Sequence, residues 1–194
     1  RHLRVQNMEE KLEQRSRDLK RVVLYGPEST GKTTLAKTLA EYFDTKWVPE
    51  FSRDYLQKRW DEEKHICDRE DMLPIAAGQM QLENQLAETA NEVLICDTNL
   101  LESVVYSQIY FEGYCDPKLL KHALKAEYDL YLLTYIDIPW IRDDLRDKPL
   151  QREFMFDKFK ETLDVYDLPY RIIRGDYQQR FDSAVSIIKN LIEK

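Results

Sequence analysis

Cysteine is scarce in this 194-residue chain. Cys67, Cys96 and Cys115 are odd in number and share no CxxC spacing. A disulfide framework is therefore not expected, and reduced thiols in a cytosol are. His65 and Cys67 lie two apart, but nothing nearby completes a metal-ligand set, so they read as scattered surface residues. No apolar run approaches the roughly 20 residues that span a bilayer, and no secretory leader is visible, so no membrane partner is expected. Basic residues do not predominate: 29 Lys and Arg face 36 Asp and Glu, a net charge of −7. That argues against a nucleic-acid-binding surface. There are no internal repeats and no low-complexity tracts. What remains is 43% hydrophobic and 34% charged, the composition of one globular domain with a real core.

Glycine is also scarce, with five in all, and two fall in one octapeptide. Gly26-Pro27-Glu28-Ser29-Thr30-Gly31-Lys32-Thr33 fits the phosphate-binding pattern G-x-x-x-x-G-K-[ST] without a mismatch, and Thr34 follows. The context fits as well. Residues 21–25 form a short β-branched run that reads as a strand, and residues 34–43 read as a helix with Leu35, Leu39 and Phe43 on one face. Glycines let the backbone wrap closely, so that its N–H groups and the helix N-terminus face an anion. Lys32 can then reach the β- and γ-phosphates of ATP, and the Thr33 hydroxyl can ligate Mg²⁺.

Further strands are expected at 45–49, 93–97, 129–136 and 170–173. Helices are expected at 51–60, 73–90, 100–111, from Pro117, and at 177–192. Strands alternating with helices predict an α/β fold: a doubly wound parallel sheet of about five strands with helices on both faces, as in P-loop NTPases. Residues 21–194 form the expected kinase domain. Residues 1–20 form a charged extension, helical from about 6, with Val5, Met8, Leu12 and Leu19 on a thin apolar stripe that frays or docks on a partner.

In such a sheet, ligands bind beyond the carboxyl ends of the strands. Asp97 closes an apolar strand and is placed to act near Mg²⁺, or else to cap the next helix. Glu50 and Arg53 lie three apart at a helix start and could face a hydroxyl acceptor, or form a surface ion pair. Arg142, Arg146 and Arg152 follow the fourth strand. They could stabilise a transferring phosphoryl group as a lid, with Arg146 and Arg152 foremost, or line a solvated face. Trp47, Phe51, Tyr55, Trp60, Tyr106, Tyr110 and Phe111 could sandwich a flat base, Phe51 being favoured because it adjoins Glu50. Gln79 and Gln81 read as surface amides.

The ordered set of the phosphate loop, Glu50-Phe51-x-Arg53, Gly78-Gln79, Asp97-Thr98 and Pro139-Trp140 with Asp143-x-x-Arg146 resembles the ribosylnicotinamide kinase domain of a bifunctional bacterial NAD-biosynthesis protein and related P-loop ATPase/kinase proteins. The resemblance runs from about Arg21 to the C-terminus. It implies transfer of the ATP γ-phosphate to the 5′-hydroxyl of nicotinamide riboside, giving NMN, with Mg²⁺ and ATP as cofactors. It also implies that Lys32, Glu50, Asp97, Arg146 and Arg152 act in catalysis, that Glu50, Phe51, Arg53 and Asp97 face the riboside, and that Thr33 and Asp97 hold the metal. The chain departs from that family's pattern at Pro49, Phe51, Asn99 and Asp144, positions that bear on the acceptor pocket rather than on phosphoryl transfer. It contains no H-x-G-H motif, so adenylylation of NMN is not expected. The expected partners are ATP and a nucleoside-like molecule, and a homo-oligomer is left open. A kinase for another nucleoside or small metabolite, and a regulatory P-loop ATPase acting on a protein partner, remain as alternatives.

Overall fold

The computed structural model describes residues 7–139 and 151–194. Five strands form one parallel sheet: β1 (Lys20–Tyr25), β2 (Trp47–Val48), β3 (Val93–Asp97), β4 (Leu130–Thr134) and β5 (Tyr170–Ile173), in the order β2-β3-β1-β4-β5. β1 sits in the middle, paired in parallel with both β3 and β4. The residues of β1, β3 and β4 are nearly all buried, which explains their continuous apolar runs.

Successive side chains of a strand point to opposite faces, and the two cores follow that period. Val23, Tyr25, Leu94, Cys96, Tyr131 and Leu133 face one side. There they meet α4 (Met72–Ala87), α5 (Leu100–Tyr110), α6 (Pro117–Lys125) and α7 (Arg152–Val165). Val22, Leu24, Val93, Ile95, Leu130 and Leu132 face the other side. They pack on Leu35, Ala36, Leu39 and Ala40 of α2 (Lys32–Tyr42) and on Ala184 and Ile188 of α8 (Tyr177–Ile192). The expected doubly wound α/β P-loop architecture is thus the observed one. Among the described residues no helix is long and apolar enough to cross a membrane. α3 (Phe51–Glu63) buries no residue fully and lies along the rim of the strand ends.

The N-terminal segment departs from expectation. Its helix, α1, covers only Met8–Leu12, and the chain beyond runs without helix to β1. The cause is Asn84 on α4. Its side chain accepts from the Arg15 N–H (2.8 Å) and donates to the Glu13 carbonyl (2.9 Å), offering this backbone an alternative to a helical ladder. Leu12 is fully buried in the core. Gln14 and Arg21 both reach Glu83, at 2.8 and 2.5 Å. Tyr128 completes that buried carboxylate at 2.6 Å, so the charge is paired rather than stranded.

One helix contact has a steric consequence. A Cβ on Gly78 of α4 would lie 2.2 Å from the Phe51 ring, so α3 can approach α4 only over a glycine. Gly78→Ala must push Phe51 aside and should cost about 1–3 kcal/mol, despite alanine's better helix propensity. Urea denaturation checks this, and unchanged or greater stability would contradict the close approach.

Candidate functional site

The loop after β1 carries strained backbone in a short span, with φ of 149° at Gly26, 59° at Ser29 and 79° at Gly31. A Cβ on Gly26 would meet Thr134 Oγ1 at 2.7 Å and the Thr134 carbonyl oxygen at 3.0 Å, so only glycine can pass over the end of β4. Thr30 ties the loop to the same strand, its hydroxyl 2.6 Å from that of Thr134 and 2.7 Å from the Pro27 carbonyl it donates to. Lys32 is buried, and its Nζ donates to the Gly26 (2.9 Å) and Pro27 (2.8 Å) carbonyls. The ammonium is therefore held inside the loop at the start of α2, where an anion would meet it.

Asp97 ends β3 directly beside α2. Its Oδ2 accepts from the Thr33 hydroxyl at 2.5 Å, while its Oδ1 is buried and has no hydrogen-bond partner among the described residues. Burial, then the neighbouring Glu50 carboxylate, push its pKa up to about 7 against the pull of Lys32 and Thr33. Asp97 does not cap α5. Asn99 does that, accepting from the Glu102 N–H at 3.3 Å and donating to the Tyr131 hydroxyl at 2.8 Å. Asn99 is thus a buried structural residue, and Asp97 is left facing the loop. A hydroxyl and an orphaned buried carboxylate oxygen suit a hard divalent cation.

Glu50 stands at the N-cap of α3. Its backbone surroundings are fixed by Gln79, which accepts from the Phe51 N–H (2.8 Å) and donates to the Pro49 carbonyl (3.0 Å). Gln79 is buried, not the surface amide expected.

Two cavities open at the strand ends. One, of about 640 Å³, is lined by residues 28–35 together with Trp47, Asp97, Pro139 and Tyr177. The other, of about 500 Å³, is lined by Thr98, Glu102 and the aromatic rings of Trp60, Tyr106, Tyr110 and Phe111. Glu28, Glu50 and Arg53 line both, so the cavities meet at these three side chains. Lys32, Thr33, Thr34, Glu50, Arg53 and Asp97 are thereby brought together. The Phe51 ring lies against Gly78, and Phe51 is not among the residues that line these two cavities. Tyr55 also lines neither. Arg152 opens α7 and donates to the Ser29 carbonyl at 3.3 Å, beside the loop. Arg142 and Arg146, with Trp140, lie outside the described residues.

Sequence reasoning missed three groups. Arg180 on α8 is buried and donates to the carbonyls of Thr30 (2.6 Å), Gly175 (2.8 Å) and Tyr135 (2.8 Å) while pairing with Asp137, so one guanidinium clamps the loop to two strand ends. Nothing in the pattern of α8 marks it. Glu102 on α5 is buried and accepts from the Gly26 N–H at 3.0 Å. Burial holds its carboxyl well above the usual range. The third is Asp71 at the start of α4. It takes bonds from Arg59, His65 (2.7 Å), Tyr55 (3.1 Å) and the Asp68 N–H (2.9 Å), so His65 is a structural partner rather than a scattered surface residue.

The model of the AAA domain family matches residues 21–180. The chain belongs to that family. It is 27% identical over 174 residues to the trifunctional NAD biosynthesis/regulator protein NadR of Escherichia coli, covering 88% of this chain and 42% of that protein. The Salmonella typhimurium protein of the same name matches equally, so the chain spans less than half the length of these curated relatives. A solved structure of NadR in complex with NR superposes with a TM-score of 0.79 at 20% identity, over 91% of this chain and 52% of that one. Thymidylate kinase from Candida albicans superposes at 0.67 with 19% identity, over 93% and 96% of the two chains. The chain is a NadR-like P-loop domain with a kinase fold.

Asp71 makes stability depend on acid. Burial alone would raise its pKa, yet the Asp68 N–H, His65 and Tyr55 together hold it below the ordinary carboxylate value. Its contribution is fully present above the unfolded pKa of about 4 and is lost as pH falls through the lower folded value. Asp71→Asn should weaken the fold at neutral pH and flatten the acid limb of stability against pH. Parallel acid limbs in the two proteins, measured by urea unfolding at a series of pH values, would contradict this.

Proposed function

We propose that this domain transfers the γ-phosphate of Mg²⁺-ATP to the 5′-hydroxyl of nicotinamide riboside, giving NMN. The observation that carries the reading is the meeting of two cavities at Glu50. One is walled by the phosphate loop, and the other is an aromatic-lined pocket of nucleoside dimensions. A P-loop that only switches a protein partner has no use for the second. The NadR relatives favour NAD salvage and nicotinamide riboside as the acceptor.

Each residue then has a task. The loop N–H groups and Lys32 hold the β- and γ-phosphates, and Lys32 exchanges its carbonyl partners for phosphate oxygens. Thr33 and Asp97 would hold Mg²⁺, which when bound would offset the negative charge of the phosphates. With Asp97 committed to Thr33, Glu50 is the proton acceptor. It lines both cavities and therefore stands where the acceptor hydroxyl meets the γ-phosphate. The acceptor oxygen forms its bond to γ-phosphorus as the bond from γ-phosphorus to the β,γ-bridging oxygen breaks. The hydroxyl proton passes to Glu50, and ADP leaves with the bridging oxygen. Arg152, beside Ser29, adds positive charge near the transferring group. Arg53 borders both cavities, and Arg146 is proposed as a further positive charge for the transferring phosphoryl group. Catalysis is mainly positioning and electrostatics.

The test is incubation with Mg²⁺-ATP and nicotinamide riboside, with mass detection of NMN. NMN should form, and Lys32→Ala should lower its rate at least about a hundredfold. Near-normal activity in that variant would overturn the site. Absence of NMN with phosphorylation of another nucleoside would move the acceptor assignment but keep the kinase.

A further inference from the structure

The inner face of α5 carries chemistry in an order that matches a nucleoside read from its 5′ end. Glu102, Tyr106 and Tyr110 follow one another at i, i+4 and i+8, about one helical turn or 5–6 Å apart, and all three line the acceptor cavity. Glu102 stands at the phosphate end, where it holds the Gly26 N–H and lies among Lys32, Glu50 and Asp97. Tyr110 and Phe111 stand at the far end as flat apolar surface, with the ring of Tyr110 stacked on that of Tyr106 at 5.8 Å. Between these ends is the Tyr106 hydroxyl, which is buried and has no hydrogen-bond partner among the described residues. A phenol buried without a partner is costly unless something completes it. The carboxyl groups of Glu28, Glu102 and Glu50 are its acidic neighbours. A carboxyl has two oxygens and several lone pairs, so Glu102 keeps acceptor capacity beyond its bond to Gly26.

We propose that Glu102 and Tyr106 form the subsite that reads the sugar of the acceptor: the ribose hydroxyls donate to Glu102 and complete the Tyr106 hydroxyl, so that the domain selects ribonucleosides over 2′-deoxyribonucleosides. This rests on the kinase reading above and extends it from the reacting hydroxyl to the sugar. A site built to bond a substrate hydroxyl discriminates strongly against the analogue that lacks it, because its own buried groups are then left unpaired. A fold does not by itself specify the substrate, so the sugar must be read by side chains that line the cavity, as Glu102 and Tyr106 do.

The test compares kcat/KM for nicotinamide riboside and its 2′-deoxy analogue in the wild type, Tyr106→Phe and Glu102→Gln. The phenylalanine is isosteric and removes only an unpartnered hydroxyl. Tyr106→Phe should fold and bind Mg²⁺-ATP as the wild type does; the glutamine keeps an oxygen for the Gly26 N–H, and the KM for Mg²⁺-ATP, measured in each variant, separates a loosened phosphate loop from a lost sugar contact. The wild type should prefer the riboside at least tenfold, and each variant should reduce that preference by about tenfold, mainly through a higher KM for the riboside. Turnover of the riboside with the same preference in all three proteins would overturn the sugar subsite while leaving the kinase intact. Turnover of neither riboside by the wild type would overturn the kinase reading, and the subsite with it.

Discussion

Leu24 of β1 lies in register with Asp97 of β3, and Tyr25 lies in register with Leu133 of β4. The rest of the site depends on this parallel pairing. It brings the last residue of β3 beside the start of α2, so that Asp97 meets Thr33, and it sets the end of β4 under the first glycine of the loop. A shift of one residue would turn every side chain of a strand to the opposite face and separate the carboxylate from the hydroxyl. The two apolar cores that fix the register are also what fixes the chemistry. Helices on one face supply Gln79 and Glu102, those on the other supply Lys32, Thr33 and Arg180, and Glu50 comes from the N-cap of α3.

The loop between these layers is braced from several directions. Arg180, Glu102 and Arg152 each hold a different backbone group of residues 26–30, and Thr134 holds the Thr30 hydroxyl. These braces come from distant parts of the chain, and they hold the loop in place before any ligand arrives. Such preorganisation suits a reaction in which the protein supplies position and charge rather than covalent chemistry. Lys32 illustrates it: the ammonium is already desolvated and is satisfied by two carbonyls that a phosphate can replace.

Much of this was legible in the residues. The octapeptide at 26–33 fixed the loop, the apolar runs fixed β1, β3 and β4, and a carboxylate at a strand end picked out Asp97. What was not legible depends on tertiary contact. The α1 segment has a helical pattern, yet Asn84, remote in sequence, claims its backbone. Phe51 looked like a stacking residue because it adjoins Glu50, but only the approach of α4 over Gly78 shows where its ring goes. Arg180 and Gln79 carry no local signal, since a buried brace and a solvated side chain look alike in a helix. Asn99 departs from the family's pattern, and its role as the cap of α5 explains why an amide with both donor and acceptor fits there.

The central claim is that hydrolysis-competent chemistry at the phosphate loop is reserved for an acceptor held in the neighbouring cavity. The most direct measurement is the initial rate of ADP release at saturating Mg²⁺-ATP as the riboside concentration is raised from zero. The account predicts a rate near zero without riboside, a saturable rise with it, and one phosphorylated product per ADP. ADP release that is already rapid without riboside and indifferent to its addition would contradict it.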